Sequence, residues 1–319
     1  MFVSGFKEKI WGTPRNPWDS QNHRVPGGSS SGAGVSLWEG SALIAFGTDT
    51  GGSVRVPASM TGNVGLKTTK GRWSTDLITI LSSSFDTPGF LARSARDIAF
   101  GFSCIDPAAR AIGTPAIEPR DTGNITIGLT KDYFWKRCTD DVGQVVESAI
   151  TELAAVGAKL TTITLPEADP AIQLWGEGAV VASEGYGFLQ NRLPDWINSL
   201  DPNVLARMEV SKKAKTLDYI SALYQISDLS DSFHAKLEQV DALAVPTVPI
   251  TPPKVLDATN PEAYKKLNLL ALSNTMPVNV LGGCAITIPV GLDKYGMPVG
   301  MQIIAPPNRE ENLIALALG

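Results

Sequence analysis

Six short, apolar, β-branched runs do most to limit what this chain can become: residues 42–46, 125–129, 160–165, 242–245, 285–290 and 299–304. Each is short for a helix and apolar at successive positions, the pattern of strands covered on both faces. Helical patterns lie between them. The clearest is 140–156, where Val142, Val145, Val146, Ala149, Ile150 and Leu153 share one face and Thr139 or Asp140 is placed to cap. Residues 97–105, 177–189, 217–237 and 261–272 follow the same period. Strands alternating with helices predict an α/β layered fold with a largely parallel or mixed sheet. Proline-rich stretches at 246–253 and 305–307 read as loops leaving strand ends. No linker interrupts the pattern, so residues 1–319 are expected to form a single domain.

Composition removes several function classes. At 319 residues, 43% hydrophobic and 18% charged, the chain is neither disordered, collagenous nor stapled by disulfides. A net charge of −5 without a basic stripe argues against a nucleic-acid partner. Cys104, Cys138 and Cys284 are odd in number and far apart, which fits reduced thiols. With two histidines and no Cys-x-x-Cys, no metal site is expected. The longest apolar candidate for a membrane span, around 269–292, is broken by Asn274, Pro277 and Asn279, and the first residues lack the apolar centre of a signal peptide. The expectation is a cytoplasmic protein with no membrane partner.

The chemistry concentrates in residues 26–59, PGGSSSGAGVSLWEGSALIAFGTDTGGSVRVPAS, where Gly-Gly-Ser occurs twice and Ser29 and Ser53 stand 24 positions apart. A phosphate-binding P-loop would need a lysine after its last glycine, and a dinucleotide fingerprint would need glycine where Leu37 stands. Acyl transfer fits better. Glycines let successive backbone N–H groups converge as a nest for an oxyanion, with a serine hydroxyl at their focus. A serine needs a base to take its proton. His23, in a polar loop, reads as a surface residue and His234, in a helical pattern, as a surface or groove residue, so a Ser-His-Asp triad is weakly supported. A Ser-Lys variant with a second serine passing the proton remains open, and it would explain the doubling: Ser53 attacks and Ser29 relays.

These residues resemble the amidase signature family. The match runs through GGSSSG at 27–32, GTDTGGSVRVPAS at 47–59, VGLKTTKGRWS at 64–74 and SSSFDTPGFLARSARDIA at 82–99. It continues at DALAVPTVP (241–249) and LGGCAITIPVGLDKYGMPVGMQIIAP (281–306). The resemblance implies a mixed β-sheet sandwiched between layers of α-helices, and hydrolysis of a C–N amide bond through an acyl-enzyme. It makes Ser53 the nucleophile and Ser29 the bridging serine, with the Gly28–Ser29 peptide held cis beside Gly27. Thr50, Gly51, Gly52 and Ser53 would supply oxyanion N–H groups. Asp49 and Arg55 would brace the loop as an ion pair, Lys67 would be structural, Ser30 would hydrogen-bond within the site, and Ser31 would only turn the chain. No metal or organic cofactor is implied.

The family's general base is a lysine on a strand well upstream of the bridging serine. Only Lys7 and Lys9 precede Ser29, and GFKEKIWGTPRNPWD resembles the segment that follows the family's lysine. The chain is therefore expected to begin inside the family domain and to stop within its terminal helix. The favoured reading is an amidase acting on a small carboxylic amide, with Trp175, Tyr186 and Phe188 as candidates for the acyl pocket. The alternatives are a catalytically inactive fragment or binding module, and the glutamine-amidase subunit of a tRNA-dependent amidotransferase, whose own motif is not found here. A homodimer is left open.

Overall fold

The computed structural model describes residues 12–319. Among the described residues, eight strands form one sheet: β1 (Ile44–Asp49), β2 (Val64–Lys67), β3 (Thr87–Ala92), β4 (Thr126–Leu129), β5 (Lys159–Thr162), β6 (Ala242–Pro246), β7 (Cys284–Leu292) and β8 (Pro298–Ala305). Their order is β1-β3-β2-β7-β8-β6-β4-β5. Five neighbouring pairs are antiparallel, and β4 runs parallel to β5 and β6, so the sheet is mixed as expected.

The described residues also form twelve α-helices: α1 (Ser31–Glu39), α2 (Arg55–Thr61), α3 (Ala95–Ile105), α4 (Pro107–Ala111), α5 (Asp140–Ala155), α6 (Ala168–Gly176), α7 (Val181–Arg192), α8 (Pro202–Met208), α9 (Thr216–Leu237), α10 (Pro261–Leu272), α11 (Met276–Val280) and α12 (Glu310–Leu318). They cover the sheet on both faces, which the alternation of strand residues makes plain. In β6, Leu243 and Val245 join the core shared with α6, α9 and α10, while Ala242 and Ala244 join the opposite core with α3, α5 and α12. A strand with period 2 can bury every residue only when both faces are covered.

The interior strands follow the sequence pattern, and the edges depart from it. β5, last in the order, exposes all four residues, and edge strand β1 leaves Phe46 60% exposed, so neither is covered on both sides. Two strands escaped the pattern altogether. β2 and β3 carry Gly65, Gly89 and Pro88, residues that count against strands. The glycines are there for space. A Cβ at Gly65 would lie 2.6 Å from Ala58 Cβ on α2, and one at Gly89 would lie 2.4 Å from Leu66 O. Pro88 pairs only toward β1, beyond the last β2 partner at Gly89. The helix expected over 177–189 is α7, which starts later, at Val181, because Gly178 at φ +71° separates it from α6. The long α5 matches expectation, with Val142, Val146 and Ile150 buried.

Candidate functional site: a doubled turn beneath the sheet

The second Gly-Gly-Ser turn joins β1 to α2, and one carboxylate organises it. Asp49, fully buried at the end of β1, accepts from the N–H groups of Gly52 (2.8 Å), Val54 (3.2 Å) and Arg55 (3.3 Å). An anion there satisfies orphan amides at the start of α2 and complements its dipole. Asp49 also receives Arg55 Nε (3.1 Å) and Nη2 (3.0 Å) and Asn279 Nδ2 (2.8 Å). Arg55 is buried as well, and its remaining donors reach Gln302 Oε1 (2.9 Å), Asn279 Oδ1 (2.5 Å) and Thr275 O (3.1 Å). The expected ion pair is therefore the hub of a satisfied polar network. Burial alone would raise the Asp49 carboxyl, but the Arg55 charge and its hydrogen bonds, with Lys67 and Asn279 adding to them, hold it well below the usual range.

The first turn is locked against the second. Gly28–Ser29 is a cis peptide bond, as the resemblance implied. The N–H of Ser30 donates to Ser53 O (3.2 Å), tying the two serine turns together one residue from Ser29. Ser30 Oγ fills the space at Gly47, where a Cβ would approach it to 2.4 Å. Gly27, at φ +81°, passes within 2.8 Å of Pro57 Cα measured from the Cβ it lacks. Ser31 Oγ donates to Gly27 O (2.7 Å), which fits a residue that turns the chain. Ser53 is 1% exposed and Ser29 half-buried.

The rest of the second turn is fixed from three directions. Thr50 Oγ1 donates to Asp86 Oδ1 (2.5 Å), and Asp86 also accepts from the N–H groups of Leu81 and Ser82. Thr275 Oγ1 donates to Gly51 O (2.7 Å). Trp175 closes over Gly51, where a Cβ would lie 2.7 Å from the indole Cη2. One expectation needs correction. The Gly52 N–H points to Asp49, not toward an oxyanion, because the carboxylate three residues earlier lies within reach of it.

Several of these partners went unassigned from sequence: Asp86, Thr275, Asn279 and Gln302. All are buried and polar. The last three interrupt apolar stretches, and a buried polar residue in such a place is the signal that could have found them. Lys67 is buried too, with Nζ donating to Thr68 O (3.0 Å) and Gly283 O (2.8 Å), which fits its structural assignment. Burial, reinforced by the Arg55 charge and opposed by Asp49, lowers it to about 8. His23 and His234 are half-buried and lie elsewhere, with Nε2 of each against a main-chain carbonyl, Thr13 O and Leu281 O. Lys7 and Lys9 lie outside the described residues. Among the described residues no three His, Cys, Asp or Glu side chains converge as metal ligands, and no helix is long and apolar enough to cross a membrane.

Of the three aromatic pocket candidates, Trp175 reaches the turn, while Tyr186 is buried with Lys212 Nζ over its ring and Phe188 is half-buried. Trp175 also walls a cavity of about 340 Å³ between α6, α8 and α10. Arg207 lines this cavity, with Nε donating to Asn203 O (3.1 Å) and Nη2 to Tyr264 OH (3.2 Å). Burial lowers its pKa, opposed by Tyr264 and Asp201, and the guanidinium stays charged at neutral pH.

Comparison with known proteins agrees with this geometry. The model of the Amidase family matches residues 1–314. The chain is 43% identical over 309 residues to the 2-amino-5-chloromuconic acid deaminase of Comamonas testosteroni, an alignment covering 97% of this chain and 66% of that protein. It is 31% identical over 350 residues to a Glutamyl-tRNA(Gln) amidotransferase subunit of Chlorobium limicola, covering 98% and 72%. The chain thus spans about two thirds of the length of these relatives. A crystal structure of an amidase superposes with a TM-score of 0.85 at 26% identity, over 100% of this chain and 70% of that one. A fold, a doubled serine turn and a family model that agree over nearly the whole chain lead to one conclusion: this chain belongs to the amidase family, the group marked by the amidase signature.

Proposed function

We propose that the doubled turn hydrolyses the C–N bond of a small amide through an acyl-serine. The observation that carries this reading is the bond from Ser30 N–H to Ser53 O, which holds the cis Gly28–Ser29 turn against the Ser53 turn. Ser53 Oγ attacks the amide carbonyl and passes its proton to Ser29. The N–H groups of Thr50, Gly51 and Ser53 face the oxyanion of the tetrahedral intermediate, while that of Gly52 keeps the loop rigid through Asp49. Collapse breaks the C–N bond, the relay returns the proton to the leaving nitrogen, and water attacking the acyl-serine by the reverse route releases the acid. The relay ends on a base, which the resemblance makes a lysine upstream of the bridging serine.

The relative with 43% identity is named for deaminating a small organic acid, whereas the amidotransferase relative stands at 31%. That difference favours a small-molecule substrate. The three free cysteines fit a cytoplasmic setting.

The test is intact mass after exposure to a fluorophosphonate probe, with ammonia release from small amides followed in parallel. One adduct, lost in Ser53→Ala and slowed in Ser29→Ala, is expected. An adduct that persists in Ser53→Ala refutes the assignment of the nucleophile. Ammonia release that requires added tRNA or partner subunits would favour the amidotransferase reading.

A further inference from the structure

Helix α7 grips the segment that leads into β3, and the grip reaches the Ser53 turn. Glu184, half-buried on α7, aims both carboxylate oxygens at residues 82–84. One oxygen accepts from Ser82 Oγ and from the Ser84 N–H (3.0 Å), the other from Ser84 Oγ (2.5 Å) and from Tyr219 OH on α9 (2.8 Å). These donors fill the capacity of an ionised carboxylate, and bonds to a charged group are the strong ones. Burial would raise the Glu184 carboxyl, but the hydrogen bonds from Ser82, Ser84 and Tyr219 outweigh it and hold the group below its ordinary value. The helix comes this close because its next residue is Gly185, where a Cβ would lie 2.8 Å from Leu81 O.

The other side of the same segment meets the Ser53 turn twice. Asp86 Oδ2 accepts from the N–H groups of Leu81 (2.8 Å) and Ser82 (3.0 Å), while its Oδ1 accepts from Thr50 Oγ1 (2.5 Å). Phe85 packs against the Trp175 indole with ring centres 5.9 Å apart, and that indole closes over Gly51. Ser82 is thus held from two directions, its hydroxyl by Glu184 and its amide by Asp86. We propose that Glu184 is a positioning residue for the amidase reaction: it fixes residues 81–86, and through Asp86 and Phe85 it sets where the N–H groups of Thr50 and Gly51 stand. The inference rests on the reading of Ser53 as the nucleophile, with those two groups facing the oxyanion. Glu184 acts at one remove from the reacting atoms, so its loss should slow the chemical step more than it weakens binding.

Labelling of Ser53 by a fluorophosphonate and backbone hydrogen exchange would be followed in the wild type, Glu184→Gln, Thr50→Val and the double variant. Glu184→Gln keeps the shape of the side chain but turns an NH2 toward hydroxyl and amide donors. It is expected to lower the maximal labelling rate about tenfold or more, with the half-saturating probe concentration nearly unchanged. Exchange should quicken in peptides covering 81–86 and 49–53 together. In the Thr50→Val background, where the bond to Asp86 is already gone, the same change should slow labelling much less. Labelling at the wild-type rate in Glu184→Gln, effects that simply add in the double variant, or quicker exchange that stops at 81–86 or spreads evenly over the chain overturns the inference. Should Glu184→Gln fail to fold, Ser84→Ala/Tyr219→Phe strips the hydroxyl donors from one carboxylate oxygen, and labelling and exchange unchanged there overturn it equally. Exchange that passes from 81–86 to 49–53 in a chain whose wild type neither labels nor releases ammonia would support the link from Glu184 and sink the proposed reaction. Labelling at Ser53 that is indifferent to Glu184 would do the reverse.

Discussion

Replacing Asp49 by Asn keeps the shape of the side chain and removes the charge around which the Ser53 turn is built. In the native chain two carboxylate oxygens receive three backbone amides, two guanidinium nitrogens and the Asn279 amide. The variant strands Arg55 as a buried cation and turns an NH2 toward some of those donors. Breaking a buried pair from one side costs about 3–5 kcal/mol. For 319 residues the unfolding entropy near the midpoint is about 0.7 kcal/mol/K, so Tm should fall by roughly 4–8 °C. Because the folded carboxyl is depressed, its contribution is complete above about pH 4, the unfolded value, and is lost only as pH falls through the lower folded value. The penalty measured at pH 7 should therefore shrink in strong acid. Arg55→Met should cost a similar amount, and the two changes together much less than the sum, since each alone leaves the other group buried without its counter-charge. Calorimetric melting of the four chains measures this. A Tm for Asp49→Asn within about 1 °C of wild type would refute the account of Asp49 as the organiser of the turn.

Lys67 makes the opposite kind of prediction. Its folded value of about 8 lies below the unfolded 10.5, so between those values the unfolded chain binds more protons and stability should rise with pH. The gain is on the order of 3 kcal/mol, and Lys67→Met should flatten that limb of a denaturant-midpoint profile; a limb unchanged in the variant removes Lys67 as its source. Gly51→Ala should push the Trp175 indole aside and slow Ser53 labelling at least about tenfold, while Gly51→Ala/Trp175→Phe should recover much of it by removing the ring that clashes; a double variant as slow as the single one would count against the contact. Thr275→Val removes the hydroxyl held by Gly51 O and should lower stability by about 1–2 kcal/mol in urea melts, with no change read as evidence that the bond is dispensable. Iodoacetamide at pH 8 should alkylate the native chain once, at exposed Cys104, because desolvation pushes half-buried Cys138 and buried Cys284 up to about 12; mass addition at either of those two thiols would contradict that.

Much of the fold was legible because its signals are local. Apolar runs marked the six strands from 42–46 to 299–304, and the period of 140–156 marked α5 nearly to the residue. β2 and β3 were not legible, since their glycines violate strand preference to admit α2 and each other's backbone. The edge strands were over-read for the converse reason: an apolar run does not say whether a second layer lies above it. In the site, both serine turns were visible because glycine spacing is a local requirement, and the Asp49–Arg55 pair was implied by the family resemblance.

What residue order settled was therefore the chemistry on offer: two hydroxyls on glycine turns, a carboxylate six positions before an arginine, and strands to carry them. What it left undetermined was how those groups are held. Asn279 meets Asp49 from 230 positions away and Gln302 meets Arg55 from 247, and the Gly52 amide is taken up by Asp49. Backbone preferences act over a few residues, whereas these contacts exist only once β7 and β8 have joined the sheet beside β2 and α11 has packed against the turn. The same holds for the Arg207 cavity, whose walls come from helices that no sequence period places side by side.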